Sequence, residues 1–334
     1  QPLPVAQGAG VYLQIAGWGI FPSLLMFLTR SYLSALERTK IVLWVTLGAV
    51  VANGVLNWAF IFGNWGAPEL GIAGSAIASV AVQVLMAAGL IWYAVRQFPE
   101  HKLFVRIWRP DWEYFRRVFR LGWPIGLTNL AEVGLFSFSA VMVGWLGTVP
   151  LASHGIVLQL ASATFMFHLG LSNAATIRAG KALGRHARED LRRGGLVAVA
   201  LSVAFSLLAV VVFLSLPEVL LGLYLDPDDP AKPEILAIGV SLMVMAALFQ
   251  TVDGLQVVAL GLLRGVQDTD FPMIYAAVSY WLIGLPAGYL GGFVLGGGAV
   301  GIWAGLVVGL AAAAASLLWR FWVKGLQRVD PMPL

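Results

Sequence analysis

No cysteine occurs among the 334 residues of this sequence. Disulfides, thiol nucleophiles and cysteine-based metal sites are therefore excluded. Charge is scarce too. Only 11% of the residues are Asp, Glu, Lys or Arg, while 59% are hydrophobic, and a soluble domain carries about 25% charged residues. The chain is an integral membrane protein. It also lacks a P-loop, an HExxH pair and a GxSxG elbow, so no enzyme and no cofactor is expected, and ATP-driven transport would need a partner to supply the motor. The net charge of +4 is no sign of nucleic-acid binding, because its placement has a better explanation. Residue 1 is Gln, not Met, with no signal peptide before it, so a fragment or a processed product is expected.

Nine apolar stretches are long enough to cross a bilayer, which takes about 20 residues each. They fall near 9–29, 41–63, 71–95, 118–146, 152–177, 195–221, 235–263, 272–294 and 299–321. They do not alternate as membrane β-strands would, so the expected fold class is all-α and polytopic. Every Lys and Arg except Lys232 lies on alternate connections or in the tail. The positive-inside rule makes those connections and the C-terminus cytoplasmic, and the N-terminus of nine helices external.

Two connections need their own reading. In 103–117, LFVRIWRPDWEYFRR, aromatics and arginines alternate without an apolar run. Beside a membrane helix this predicts an interfacial segment on the cytoplasmic face rather than a nucleic-acid patch. The other, 222–234, carries Asp226, Asp228 and Asp229. It lacks the glycine and terminal Glu of a calcium loop, so a solvated external loop is expected.

A weak repeat joins LTRSYLSALERTK, AFIFG and LGIAGSAIAS, from Leu28, to LLRGVQDTDFP and GFVLGGGAVGIWAG, from Leu262. Arg30 matches Arg264, Phe60 matches Phe293 and Gly74 matches Gly301. An even number of helices separates the two copies, so the repeat is parallel, a feature of secondary transporters. If helices seven to nine repeat helices one to three, the sequence is expected to lack about three helices before residue 1. The alternative is a native nine-helix protein.

Of the 17 acidic residues, only Glu132 and Asp253 lie deep within apolar stretches. A charge at mid-bilayer costs about 2.5–3.5 kcal/mol on insertion scales, so such residues are functional candidates. Thr128 and Asn129 share a helical face with Glu132, and Gln250 and Gln256 flank Asp253 by three residues. A carboxyl pair away from water, with no basic partner in the membrane, can take up a proton or a metal cation and release it when its surroundings change. The alternative is a polar contact between helices. Asn53 and Asn57, four apart, offer neutral oxygens for a second cation site or ordinary interhelical hydrogen bonds. His168 is a titratable candidate or a packing residue. Gln159, Ser162 and Asn173 on the same helix are equally ambiguous. Pro124 and Pro286 are expected to kink helices four and eight. Phe136, Phe138, Met142, Trp145, Met166 and Phe167 are candidates for an apolar cavity or for lipid-facing packing.

With these residues in place, the chain resembles the multidrug and toxic compound extrusion (MATE) family, in its NorM-like branch. The resemblance is carried by LGWPIGLTNLAEVGLFSFSAVMVGWLG at 121–147, SNAATIRAGKALG at 172–184, DGLQVVALGLLRGVQDT at 253–269, NGVLNWAFIFG at 53–63 and LGIAGSAIAS at 70–79. It implies a twelve-helix fold of two six-helix bundles around a central cleft. Residues 1–97 would be the second half of the N-terminal bundle, 98–117 a cytoplasmic interfacial linker, 118–325 the complete C-terminal bundle and 326–334 a cytoplasmic tail.

The resemblance further implies a multi-pass transporter of the inner (plasma) membrane, acting as a monomer. It would export organic, often cationic, drugs against Na⁺ or H⁺. Glu132 and Asp253 match the family's cation-binding carboxylates, and would ligate the metal if the ion is Na⁺. Asn53 and Asn57 match part of its N-terminal cation site, whose aspartate this sequence does not contain. Phe249 stands where some sodium-coupled relatives have a tyrosine, which removes one oxygen ligand. A lipid-linked oligosaccharide flippase of the same superfamily and a membrane-embedded transferase are the alternatives. As it stands, the chain is not expected to transport.

Overall fold

The computed structural model describes residues 3–105, 108–228 and 230–329, with side chains from Gly8 onward. Arg106 and Asp229, invoked above for the charge pattern and the acidic loop, lie outside the described residues, as does 330–334 of the expected tail. Among the described residues there is no strand, and nine helices have membrane length. They are α1 (Gly8–Ala35), α2 (Thr39–Phe62), α3 (Ile72–Gln97), α4 (Trp112–Gly144), α5 (Thr148–Gly184), α6 (Arg188–Ser215), α7 (Lys232–Gly265), α8 (Asp270–Val294) and α9 (Gly298–Val329).

Most of these helices overrun the apolar stretches that announce them. Helix α5 continues past Arg178 and Lys181, and α6 starts at Arg188. Backbone hydrogen bonding does not stop where hydropathy stops, so charged turns extend the rods. For the same reason 112–117 is no flat interfacial linker but the first turns of α4, capped by Asp111, whose side chain accepts from the backbone N–H groups of Glu113 and Tyr114. At the other end, 326–329 is not a free tail but a helical turn with Leu326 and Val329 buried. Helix α6 stops short of 221 because Pro217 starts a separate short helix, Pro217–Gly222.

The chain forms two compact units that divide after Pro110. In the first, α3 packs on both α1 and α2. A small core joins Met26, Leu33, Val42, Ala87, Leu90 and Ala94. Gly74 lets α3 meet the backbone of α2, since a Cβ there would lie 2.3 Å from the Phe60 carbonyl oxygen.

In the second unit α7 is the central rod, packed against α5, α6 and α9. Ser153, Ser172 and Thr176 on α5 donate to the carbonyls of Ile235, Val257 and Gly261 on α7, at 3.0, 2.6 and 2.8 Å. Partners rise together along the sequence, so α5 and α7 run parallel. Gly261 and Gly265 permit this approach, as a Cβ on either would meet α5 within 2.5 Å. Helices α8 and α9 run antiparallel along a seam of small residues: Gly284 meets Gly309, Gly288 meets Gly305 and Gly291 meets Gly301. Such seams drive membrane helices together by close van der Waals contact.

The two prolines behave differently. Pro124 sits inside unbroken α4. Pro286 lies in a short α-helical segment between two π-helical stretches, Val278–Gly284 and Leu290–Val294. There the ladder is already re-registered, and the missing N–H is absorbed.

A charge clamp ties the α7–α8 connection to the end of α9. Buried Asp268 pairs with Arg320 at 2.8 Å and Arg328 at 3.2 Å. Arg328 also donates to the Gln267 carbonyl at 2.9 Å. Arg320 lies over the Phe271 ring, 3.9 Å from its centroid.

Candidate cation and substrate cavity

A cavity of about 530 Å³ opens between α4, α5 and α7 of the second unit. Its wall is mainly apolar, with Phe136 from α4, Phe165 and Met166 from α5, and Phe249 from α7. Phe136 and Phe249 meet edge to face, and Phe249 in turn packs on buried Trp303 of α9. Its polar groups are few: Asn129, Glu132, Ser162, Asp253 and Arg264. An apolar wall with a handful of convergent polar groups is the usual make-up of a small-molecule site.

Helical spacing places these groups. On α4, Asn129, Glu132, Val133 and Phe136 fall on one face. On α7, Phe249, Asp253, Val257, Leu260 and Arg264 do the same over four turns. Glu132 and Asp253, 121 residues apart in sequence, thus face one space and lie within electrostatic reach of each other. Asp253 is 2% exposed and its Oδ1 has no hydrogen-bond partner. An unpaired buried acceptor is costly, and a proton or a cation would satisfy it. No cluster of three or more acidic, His or Cys side chains occurs among the described residues.

Arg264 was missed as a member of the site. The sequence places it in a cytoplasmic connection and predicts an acid pair with no basic partner. Instead it completes the last turn of α7 and lines the cavity. Its Nη2 donates to Asn129 Oδ1 at 2.9 Å, and Glu132 is within electrostatic reach. Apolar stretches mark where charge is absent, and Arg264 sits just past the edge of one. The readable signal was its register, one i+4 step and one i+7 step beyond Asp253 on the same face.

Several other candidates lie off the cavity. Gln250 turns to α5, donating to the Ala161 carbonyl at 3.0 Å. Gln256 turns to α8, donating to the Tyr280 hydroxyl at 2.6 Å. Three-residue spacing to either side of Asp253 spreads these amides across the helix, so they do not extend its polar face into the cavity. Thr128 is buried and bonds back to the Pro124 carbonyl at 2.8 Å. His168 is a packing residue between α5, α6 and α7. Its ring nitrogens meet Ser202 and Ser206 Oγ at 3.1 and 3.4 Å, and it fills the space left by Gly254.

Among the aromatic and methionine candidates, Phe136 and Met166 line the cavity. Phe138 packs on Trp281, Trp145 on Phe293 and Phe167 on Phe205. Met142 is buried in the core. Ser162 lines the cavity, while Gln159 and Asn173 are exposed. In the first unit, Asn57 Nδ2 donates to Asn53 Oδ1 at 3.0 Å, and Asn57 Oδ1 is buried without a partner.

Membrane-length helices and, in the second unit, an apolar-walled cavity with two carboxylates mark a polytopic membrane protein with a small-molecule site. The MatE family model matches residues 124–290. The "probable multidrug resistance protein NorM" of Rhizobium meliloti (strain 1021) is 47% identical over 331 residues, covering 98% of this chain and 71% of that protein. The "multidrug resistance protein NorM" of Burkholderia vietnamiensis is 39% identical over 325 residues, covering 97% and 70%. The crystal structure of a eukaryotic MATE transporter shares the fold with a TM-score of 0.88 at 21% identity, over 98% of this chain and 72% of that one. The chain belongs to the MATE family. It is a multidrug efflux transporter and not an enzyme.

Proposed function

We propose that this transporter is a secondary antiporter, exporting organic and often cationic compounds by alternating access in exchange for Na⁺ or H⁺ held by Glu132 and Asp253. The observation that carries the reading is Asp253, buried with an unpartnered oxygen beside Glu132 in an apolar-walled cavity. The carboxylates take the coupling ion, and the aromatic wall takes the apolar body of the drug. Both occupants use the same carboxylates, so they compete. Ion binding shifts the conformational population only as far as its affinity differs between the two states. One charge moving down 100 mV supplies about 2.3 kcal/mol, enough for a roughly 50-fold gradient of a neutral compound.

Asn53 and Asn57 form the second, weaker cation site, with Asn57 Oδ1 as its free acceptor. The protein lies in the inner (plasma) membrane as a monomer, C-terminus cytoplasmic, in keeping with the distribution of its basic residues. A pyrophosphate-handling flippase would need several arginines in the cavity, and Arg264 is the single one among its lining residues.

The test is equilibrium binding of tetraphenylphosphonium to the protein in lipid nanodiscs. Na⁺ or acid should compete with it, and Glu132→Gln or Asp253→Asn should weaken it by about tenfold or more, the worth of one charge-assisted contact. Unaltered affinity in both variants would sink the assignment.

A further inference from the structure

The aromatic wall of the cavity has a support that lies outside it. Phe249 is 2% exposed, so its ring is set by what packs around it. It meets Trp303 of α9 edge to face, with centroids 5.6 Å apart. Trp303 is fully buried, and its Nε1–H donates to His154 Nδ1 of α5 at 3.0 Å. The indole and imidazole rings also stand edge to face, 5.7 Å apart. Neither His154 nor Trp303 is among the residues lining the cavity. On its other side Phe249 meets Phe136, 5.9 Å away. A chain of four rings thus joins α5, α9, α7 and α4, and its last two members line the cavity.

An indole N–H can only donate, so Nδ1 is the bare nitrogen of a neutral imidazole whose proton sits on Nε2. That Nε2 is buried and has no hydrogen-bond partner among the described residues. An unpaired buried polar atom is costly, and an aliphatic side chain would fill the space without it. The gain from a histidine here therefore lies at Nδ1. The bond holds the indole in one orientation, because the ring turned over would bury its N–H away from this acceptor. An edge-to-face contact depends on the angle between rings, so the orientation of Trp303 carries over to Phe249. We infer that His154 is a positioning residue for the drug site: through Trp303 it sets the angle at which Phe249 faces the cavity. This rests on the proposed role of the aromatic wall and deepens it.

The experiment is a double-mutant cycle read by equilibrium binding of tetraphenylphosphonium to the protein in nanodiscs. His154→Leu keeps the bulk and removes the acceptor. It should weaken binding by about fivefold, the worth of one aromatic contact. His154→Asn returns an acceptor oxygen where Nδ1 stood, and should bring affinity back to within about twofold of wild type. Phe249→Leu should weaken binding by itself. Adding His154→Leu to Phe249→Leu should change nothing more, because the ring to be positioned is gone.

Additive losses in the double variant overturn the inference, since His154 would then act by a route that bypasses Phe249, as a general loosening of the bundle would. Unaltered binding in His154→Leu overturns it too, as does an asparagine variant as weak as the leucine one. If Phe249→Leu alone leaves binding intact, the wall is not the drug site, and that reading fails and takes the inference with it. Should His154→Leu not fold, Trp303→Phe takes its place in the cycle. It keeps an apolar ring without the N–H, and must show the same weakening alone and none beside Phe249→Leu; any other result refutes the positioning role.

Discussion

The two units of this chain share a local device and differ in what they do with charge. In each, a glycine near the start of a helix meets a carbonyl of the helix before it. Gly74 meets Phe60, and Gly301 meets Gly291, where a Cβ would lie 2.2 Å from the carbonyl oxygen. These are the glycines that the internal repeat aligns, and the carbonyls fall at or within two residues of its matched pair, Phe60 and Phe293. Yet the helices of the first unit carry no carboxylate, and its Arg30 is exposed. In the second, the matching Arg264 reaches a cavity with two carboxylates. The repeat copies a packing joint, whereas the charge site needs a wall, which α4, α5 and α7 provide.

The largest way to break this comparison is at the glycine seam. A Cβ on Gly305 would lie 2.1 Å from the Gly288 backbone nitrogen, with no side chain able to yield. Gly305→Ala should cost about 3 kcal/mol, at the upper end of ordinary overpacking. Gly48, on α2 of the first unit, has nothing within 4 Å of its virtual Cβ. Gly48→Ala should be neutral or stabilising by about 0.5–1 kcal/mol. Thermal unfolding of the purified variants separates the two outcomes, and equal destabilisation would show that packing does not distinguish the units.

The charge clamp gives the next contrast. Asp268 is 1% exposed and holds two arginines. Asp268→Asn keeps an acceptor oxygen but removes the charge that two partly exposed arginines share, and should cost about 1.5–3 kcal/mol. The surface pair Glu189–Arg193, at 2.9 Å with both side chains more than half exposed, should make Glu189→Gln cost very little, because water and salt already screen the pair. Melts in low and high salt check both: salt should erase the second effect and leave the first.

These contrasts also show what was legible beforehand. Hydropathy marked all nine helices, because a bilayer-length apolar run has few other uses. Glu132 and Asp253 stood out because charge is rare inside such runs, and the structure brings both to one cavity. What stayed hidden was direction around the helix. Gln250 and Gln256 sit as close to Asp253 in sequence as Asn129 does to Glu132, but they point to α5 and α8. Arg264 was hidden for the opposite reason: counted with a connection, it belongs to the end of a helix that runs two residues past its apolar segment. Polarity tells that a residue needs a partner, and only packing tells which neighbour supplies it.

The smallest effect tests whether the first unit contributes to ion binding at all. Asn53 and Asn57 offer only neutral amide oxygens, one of them already engaged in the bond between the two side chains. A neutral contact contributes about 0.5–1.5 kcal/mol, less than a charged one. Asn57→Ala should therefore weaken Na⁺ competition against tetraphenylphosphonium by about threefold, while leaving affinity for the organic cation itself unchanged. Glu132→Gln should alter both, because its carboxylate serves ion and drug alike. If Asn57→Ala leaves Na⁺ competition untouched, the asparagine pair is a helix-internal contact and all ion coupling resides in the second unit. If it matches Glu132→Gln in both measurements, the neutral oxygens carry as much as the carboxylate, and the division of labour between the two units disappears.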